Sequence, residues 1–401
     1  MYLFEFPQSL ILALAFLMFL VGCRRTPLAP LFRGRVLSSA LIVAAALFVA
    51  VEGTWGYSLH RHWSFVVLTV LLMTSLGYVA VSDFRTKSLS ALMSHAGLFL
   101  VLFGGLFGAP DCTDGMMRVY LQGAEEHMVV RNDGSIAPLP FNVSLEDFTI
   151  DRYDDGVNPK QFTSTLAIDG KVLRTGVNRP GRYKGYSIYQ SGYDSERGEY
   201  SVLKIVRDPW LPVVALGALL LSAAAVLSLK KVWDSWKTLV AAFVLAIVFG
   251  ILSVARISFG TLPPALRSLW FVPHLIVYML AYAVMALAVI AAVASLFSSR
   301  IPHNLSRKLL STASSLLLIG MICGAVWAKQ AWGDYWTWDS KECWAAVTWL
   351  LTLAGTHFHK KKAAMVFTII SFLAIQMTWY GVNYLPSSGN SLHTYNLESE
   401  I

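Results

Sequence analysis

Charged residues are scarce in this chain: Asp, Glu, Lys and Arg together make up only 14% of its 401 residues. Hydrophobic residues make up 56%, and the mean hydropathy is +0.56. These values lie far from the composition of an average soluble domain. The composition therefore indicates a polytopic membrane protein.

Cysteine is also rare, and the sequence has no Cys-x-x-Cys pair. Neither a zinc site nor a dithiol redox centre is therefore indicated. Cys112 and Cys343 are both expected on the outer side of the membrane, where a disulfide can form, but we favour separate thiols packed in the membrane region. The four cysteines are Cys23, Cys112, Cys323 and Cys343.

Ten apolar runs are long enough to be considered as helices crossing a hydrocarbon core about 30 Å thick. The runs 37–52 and 343–358 are the shortest of them. The sequence thus predicts a polytopic α-helical membrane protein with about ten transmembrane helices, at 8–23, 37–52, 64–82, 89–108, 210–229, 236–255, 269–298, 309–328, 343–358 and 363–384.

Lysines and arginines are concentrated in alternate short loops, and such loops face the cytoplasm. This distribution predicts that both termini and residues 109–208 lie outside. The formal net charge of +8 follows from this topology and is not a footprint of nucleic-acid binding. The loop residues are Arg24, Arg25, Arg33, Arg35, Arg85, Lys87, Lys230, Lys231, Lys237, Arg300, Arg307, Lys308, Lys360, Lys361 and Lys362.

Residues 109–208 differ from the rest of the chain in being polar. Apolar and polar residues alternate in stretches such as 163–168 and 200–206, and Asp133-Gly134 and Asp169-Gly170 supply turn signals. We therefore predict a β-rich extracytoplasmic domain inserted between the fourth and fifth predicted spans.

The segment from Trp332 to Trp344 contains four tryptophans, three acidic residues and Gly333 between two apolar runs. Tryptophans favour the membrane interface in any membrane protein, so an interfacial belt is one interpretation. Belt tryptophans usually occur singly at helix ends, whereas Trp332, Trp336 and Trp338 lie within seven residues. We favour a stacking platform for a planar ligand.

Four histidines fall where a buried ring nitrogen needs a partner. The predicted topology places His95 and His357 in the cytoplasmic half of the membrane and His274 and His393 on the outer side. Two pairs of imidazoles suit the two axial positions of iron in a planar macrocycle. This combination points to haem.

The remaining histidines carry weaker signals. His60 and His62 flank Arg61 and form a possible metal pair, but a solvated loop pair is favoured. The others are expected at the surface, and they are His127, His303 and His359.

The segment 327–344, which we call the Trp-rich loop, resembles the tryptophan-rich "WWD" signature of haem-handling proteins in system II cytochrome c maturation, of the CcsA/ResC type. Trp379-Tyr380-Gly381-Val382-Asn383-Tyr384-Leu385, Leu392-His393-Thr394-Tyr395 and the run from Thr348 to His357 resemble further parts of that family. Ser94-His95-Ala96-Gly97 and Val177-Asn178-Arg179-Pro180 are similar to the partner family CcsB/ResB. The chain therefore resembles a natural fusion of the two.

The resemblance implies a division into an N-terminal four-helix membrane region, the β-rich domain, a fifth helix and a CcsA/ResC-like domain, at 1–108, 109–208, 209–232 and 233–401. Three positions depart from the family pattern, at Ser340, Lys329 and the motif 391–396. None of these departures removes a proposed iron ligand.

The resemblance implies roles for individual residues. His95 and His357 would receive haem b from the cytoplasmic side, and His274 and His393 would be axial ligands at an outer site. There Trp332, Trp336 and Trp338 would line the macrocycle, and Gly333 would allow close backbone approach. For Asp334, Asp339 and Glu342, orientation of an imidazole and capping of the next helix both remain open.

The implied activity is a cytochrome c synthase, which joins haem to apocytochrome c in a bacterial cytoplasmic membrane, with the outer side being the periplasm. The implied partners are apocytochrome c, a thioredoxin-like reductant and membrane lipid, with no nucleic acid. Two alternatives are a dihaem electron-transfer protein and a haem exporter without ligation activity.

Overall fold

The computed structural model describes residues 5–86, 88–230, 261–298, 303–358, 360–387 and 393, together with positions 240, 244 and 248. Its helices in chain order are α1 (Gln8–Gly22), α2 (Leu28–Arg33), α3 (Arg35–Trp55), α4 (Trp63–Arg85), α5 (Leu89–Gly108), α6 (Leu211–Lys230), α7 (Phe271–Phe297), α8 (His303–Trp332), α9 (Ser340–His357) and α10 (Lys361–Trp379). All except α2 and α9 are long and apolar enough to cross a membrane, eight within the described ranges. A multi-pass membrane protein is confirmed.

Nine of the ten predicted spans fall on described residues, and each contains a helix. The span 236–255 lies outside the described residues apart from three isolated positions, so the total of ten stays a prediction. Helix α9 covers the predicted span 343–358 up to His357 but has Lys341 and Glu342 in its first turn. The short helix α2 was not predicted, because its apolar run is only six residues long.

The β-rich domain between α5 and α6 is an eight-stranded antiparallel sheet in the order β5-β4-β3-β2-β1-β8-β7-β6. Thr175 Oγ in β5 donates to the carbonyl of Ile188 in β7 at 2.7 Å, so the two ends of the sheet meet. The strands are β1 (Thr113–Tyr120), β2 (Glu126–Arg131), β3 (Ile136–Arg152), β4 (Pro159–Ile168), β5 (Lys171–Gly176), β6 (Gly181–Tyr183), β7 (Tyr186–Tyr193) and β8 (Tyr200–Arg207).

Alternation and turn chemistry explain this domain. Met117 and Val119 in β1 are buried while their neighbours are exposed, as expected for a sheet with one face in a core. Asp169 and Gly170 connect β4 to β5 with φ of 47° and 75°, the left-handed pair of a tight hairpin turn. The prediction of a β-rich insertion is confirmed.

Glycines set the close packing of the membrane helices. A Cβ added to Gly97 in α5 would lie 2.8 Å from the carbonyl oxygen of Gly217 in α6. A Cβ on Gly53 in α3 would lie 2.5 Å from Cβ of Cys343 in α9. Small residues allow such close approach of helices in lipid. The Ser94-to-Gly97 motif therefore contributes a helix contact besides its histidine.

Candidate haem site

Four aromatic side chains, His274, Trp327, Trp332 and His393, form what we call the outer cluster. The Trp327 indole lies against both imidazoles, with centroid distances of 5.7 Å to His274 and 5.8 Å to His393. Trp332 lies 5.0 Å from Trp327 and meets His393 edge-on at 5.3 Å. The tertiary structure thus gathers both outer histidines around one tryptophan, although 119 positions separate them in the sequence.

Two glycines of α8 contact His274 in α7. The Nδ1–H of His274 donates to the carbonyl of Gly320 at 2.9 Å. A Cβ on Gly324 would lie 2.7 Å from both Cε1 and Nδ1 of the His274 ring. The spacing Gly320-x-x-x-Gly324 is a helix-packing signal in the sequence, and it could have indicated this close approach of α7 and α8.

Asp339 performs both of the roles that the sequence left open. Its Oδ1 accepts from the backbone N–H of Glu342 at 2.8 Å and so caps α9, while its Oδ2 contacts Nδ1 of His393. A carboxylate behind an imidazole orients the ring and increases its basicity toward a metal. Asp339 therefore links the start of α9 to the outer cluster.

The Glu342 side chain turns back toward Thr337, which precedes α9. Its carboxylate accepts from the backbone N–H of Thr337 at 2.6 Å and from the Thr337 hydroxyl at 3.1 Å. Burial, followed by the charge of Asp339, raises the pKa of Glu342 to about 7. Possible ligand atoms of Asp339, Glu342 and His393 lie within 4.8 Å of one another, but the carboxylate oxygens already hold protein donors.

The three tryptophans named from sequence have different aromatic neighbours, and Trp332 is the one that lies in the outer cluster. Trp336 and Trp338 meet at 6.1 Å, nearly perpendicular, and Trp338 stacks on His60, which the sequence analysis had placed in a solvated loop. That interpretation of His60 was wrong, because its Nδ1 contacts the carboxylate of Glu52, only 3% exposed, in α3. His62 is exposed and caps α4.

Gly333 and Asp334 face the β-rich domain. Gly333 has φ +87°, and a Cβ there would lie 3.0 Å from Cδ2 of Tyr189 in β7. Asp334 pairs with Lys204 of β8, which also lies 3.3 Å from Asp114 of β1. Asp334 is therefore neither a helix cap nor seen beside a histidine; it ties the Trp-rich loop to the sheet.

His95 and His357 lie in the half of the helices remote from the β-rich domain. His95 Nδ1 lies 2.6 Å from Oδ2 of Asp83 in α4, and His357 Nδ1 donates to the carbonyl of Leu353 at 2.9 Å. Leu353 and Leu98, one turn from His95, pack against one hydrophobic cluster. Asp83 is not among the residues predicted from sequence, although an acidic residue at the end of a membrane helix is a functional signal.

All four proposed ligands share one feature, which is an oxygen acceptor at Nδ1. The acceptors are two carboxylates, of Asp83 and Asp339, and two backbone carbonyls, of Gly320 and Leu353. Such a bond fixes the ring and assigns metal coordination to Nε2. The four imidazoles thus have the donor chemistry that suits haem iron, and two of them, His274 and His393, meet around Trp327.

The four cysteines are free thiols. Burial, followed by the charge of Asp208, raises the pKa of Cys112 to about 12. Very little thiolate is then present at neutral pH, so Cys112 is a poor nucleophile. Of the surface histidines predicted from sequence, His127 is exposed, and the side chains of His303 and His359 lie outside the described residues.

Two adjacent parts of the chain match two different protein families. Residues 210–388 match the family described as Cytochrome C assembly protein, and residues 84–201 match the ResB-like family. The first match contains the Trp-rich loop, His274 and His357, and the second contains His95 and most of the β-rich domain.

Curated relatives named "Cytochrome c biogenesis protein CcsA" match part of the chain. The protein of Cyanophora paradoxa is 45% identical over 98 residues, covering 23% of this chain and 29% of the relative. That of Porphyra purpurea is 40% identical over 97 residues, covering 23% and 30%. That of Mesostigma viride is 30% identical over 178 residues, covering 33% and 57%. The chain thus spans between about a third and just over half of these relatives.

A ResB-like region is followed by a region of the cytochrome c assembly family that carries the Trp-rich loop, and these matches together support a ResB–CcsA fusion of system II cytochrome c biogenesis.

Proposed function

We propose that this protein moves haem b across the membrane and attaches it to Cys-x-x-Cys-His segments of apocytochrome c on the outer side. One observation carries the proposal: each of four histidines has Nδ1 held by an oxygen. His274 and His393 lie beside the Trp-rich loop, and His95 and His357 lie toward the helix ends remote from the β-rich domain. The relationship to cytochrome c assembly proteins supports haem as the ligand.

In this proposal the inner pair, His95 and His357, receives haem, and the outer pair, His274 and His393, holds it for ligation. Trp327 and Trp332 supply planar surfaces beside the outer pair. Asp339 increases the donor strength of His393, which stabilises the ligated iron while the substrate approaches.

The attachment step uses the thiols of the substrate. Each thiol adds across one haem vinyl group, forming one C–S bond while its hydrogen goes to the other vinyl carbon, so the addition consumes no oxidant. Positioning is then the main contribution of the protein. A thioredoxin-like partner would keep the substrate thiols reduced, because this chain has no dithiol of its own.

The fusion is proposed to lie in the bacterial cytoplasmic membrane, in contact with lipid, with its termini, the β-rich domain and the Trp-rich loop on the periplasmic side. Contact of Lys204 with Asp334 supports one common side for the β-rich domain and the Trp-rich loop. The lysine and arginine distribution supports the orientation.

The test is absorption spectroscopy of the purified protein in detergent. Wild type should carry noncovalent b-type haem, and His→Ala variants at 95, 357, 274 and 393 should lose it and regain it when imidazole fills the vacated position. His127→Ala is the matched control, because His127 is exposed on the β-rich domain. Haem-free wild type with functional histidine variants would refute the proposal.

Coexpression with an apocytochrome c separates the alternatives. Covalent haem on the substrate supports a synthase. Stable haem binding without covalent product would instead indicate an electron-transfer protein, and haem export without product would indicate a transporter.

A further inference from the structure

The segment 261–268 lies between the β-rich domain and the outer cluster. Asn178 of the β-rich domain donates through Nδ2 to the carbonyls of Pro264, at 2.7 Å, and Ala265, at 3.3 Å. Tyr153 donates through its hydroxyl to the carbonyl of Leu262 at 3.0 Å. The β-rich domain thus holds this segment by its backbone oxygens.

The Ala265 carbonyl has a second donor. Nε1 of Trp327 donates to it at 2.9 Å, and the Trp327 indole is the ring that contacts both His274 and His393. Asn178 and Trp327 therefore meet at one oxygen atom. Movement of Ala265 would rotate or release the indole on which the outer cluster is built.

The backbone around Asn178 directs its side chain outward from the sheet. Asn178 has φ +60°, in a tight turn closed by paired hydrogen bonds between Gly176 and Arg179 of 3.0 and 2.9 Å. Asparagine tolerates this left-handed conformation better than most residues. Both hydrogen bonds of its amide nitrogen go to the segment 261–268 rather than to the sheet.

We propose that Asn178 is a positioning residue, which fixes Trp327 through the Ala265 carbonyl and thereby sets the geometry of the outer haem site. This rests on the proposed function, since it takes His274 and His393 as iron ligands. It assigns the ResB-like region a specific task at a site that is built by the CcsA-like region.

The experiment uses the full chain in detergent with both inner ligands replaced, His95→Ala and His357→Ala, so that added haem reports on the outer site. Asn178→Gly keeps the left-handed turn and removes the amide, and Asn178→Asp keeps the shape and removes the donor. Asn142→Asp is the control, because the Asn142 amide bonds exposed Glu125 within the same domain.

We expect both Asn178 variants to weaken haem binding by about tenfold, the scale of one lost buried hydrogen bond, and to shift the absorption maxima of the bound haem. Asn142→Asp should match its parent in both. A spectral shift separates positioning from a general loss of stability. Haem affinity and spectra equal to the parent in both Asn178 variants would overturn the proposal.

A double-mutant comparison tests whether Asn178 acts on the outer haem site through the Ala265 carbonyl and Trp327. Trp327→Phe keeps the ring and removes the N–H that shares the Ala265 carbonyl, so we expect it to weaken haem binding as well. Combined with Asn178→Gly it should cost less than the sum of the two single losses. Full additivity would overturn the proposed coupling of Asn178 to the haem site through Ala265 and Trp327. No effect of Trp327→Phe would also overturn it, and that result does not depend on whether an Asn178 variant folds.

The two proposals fail in different ways. If the parent with only the outer pair binds no haem, and wild type binds none, the proposed function fails. If the parent binds haem and the Asn178 and Trp327 variants bind it equally well, only the positioning role fails.

Discussion

The imidazole of His60 lies flat against the indole of Trp338, with ring centroids 4.8 Å apart and planes 2° apart. Glu52 holds this imidazole through Nδ1 and also accepts from the His60 backbone N–H at 3.0 Å. Trp338 has the unusual φ of +62°, and its neighbour Asp339 contacts His393. The loop between α3 and α4 therefore supports the strained backbone of the Trp-rich loop at Trp338.

We expect His60→Ala to weaken haem binding at the outer site by about 1 kcal/mol, the value of an aromatic pair beyond its buried area. The measurement is a haem titration of the full chain. His62→Ala is the matched control, since the His62 side chain is exposed and contacts only Ser64 and Trp63 among the described contacts. Equal affinities of the two variants would contradict a supporting role for His60.

The two roles of Asp339, as the cap of α9 and as the carboxylate partner of His393, can be separated by mutation. Asparagine caps helices as well as aspartate does, so Asp339→Asn should leave thermal stability nearly unchanged. Loss of the carboxylate behind His393 should weaken haem binding about 10- to 100-fold and raise the haem reduction potential, because the imidazole becomes a weaker donor. Asp339→Ala should cost about 1 kcal/mol of stability in addition. Wild-type haem affinity in Asp339→Asn would show that Asp339 is only a cap.

Gly333 and Gly134 form a matched pair for testing the contact between loop and sheet. Their φ values are +87° and +82°, but an added Cβ meets Tyr189 at 3.0 Å only at Gly333 and no atom within 4 Å at Gly134. Both alanine variants should lose about 1 kcal/mol or more from backbone strain. We expect Gly333→Ala to lose more and also to lower the yield of covalent cytochrome. Equal unfolding temperatures and equal yields would argue against a tight contact.

Lys204 is only 7% exposed and lies between Asp114 and Asp334. We expect Lys204→Met to lower the free energy of unfolding by more than the roughly 1 kcal/mol upper value of an exposed pair, and by less than the about 3–5 kcal/mol of a fully buried one. Lys184→Met, at an exposed pair with Asp169, is the control.

The loss in Lys204→Met should depend on pH. Burial already raises the pKa of Asp114, and Lys204 opposes that shift. Without Lys204 the folded-state pKa rises further, so protonation at lower pH removes an unpaired buried charge and the loss should shrink as the pH falls. A loss that grows on acidification would contradict this assignment.

Cys112 should be slow to alkylate. With a pKa of about 12, raised by burial, its thiolate fraction and labelling rate should rise about tenfold per pH unit from roughly pH 8 to roughly pH 10. The measurement is maleimide labelling of a variant that retains only Cys112. A plateau near neutral pH would show an ionised thiol and would reopen a role for Cys112 in substrate handling.

Local signals in the sequence predicted the elements of this protein well. Long apolar runs mark the membrane helices, because hydrocarbon requires about 20 apolar residues to cross it. Alternation and the turn Asp169-Gly170 mark the sheet, and Asp339 three residues before Glu342 marks the start of α9. Each of these signals depends only on residues that are close together in the sequence.

The proposals of haem as the ligand and of two pairs of histidine ligands also came from sequence, through topology and family resemblance. The grouping of His274 and His393 around Trp327 could not be predicted, and the stacking of Trp338 on His60 contradicted the expected solvated loop. The sequence predicts that these aromatic residues lie on the outer side of the membrane, but it does not predict which rings contact each other.

Only the tertiary structure decided what Gly333, Lys204 and Asn178 do. Lys204 and Asp334 are 130 residues apart in the chain, and Asn178 and Ala265 are 87 apart. Hydropathy, periodicity and capping are patterns among residues close together in the chain. These contacts depend instead on how the folded sheet packs against the helices. The sequence by itself determined which segments enter the membrane and which fold outside it, and the packing between them determined the site.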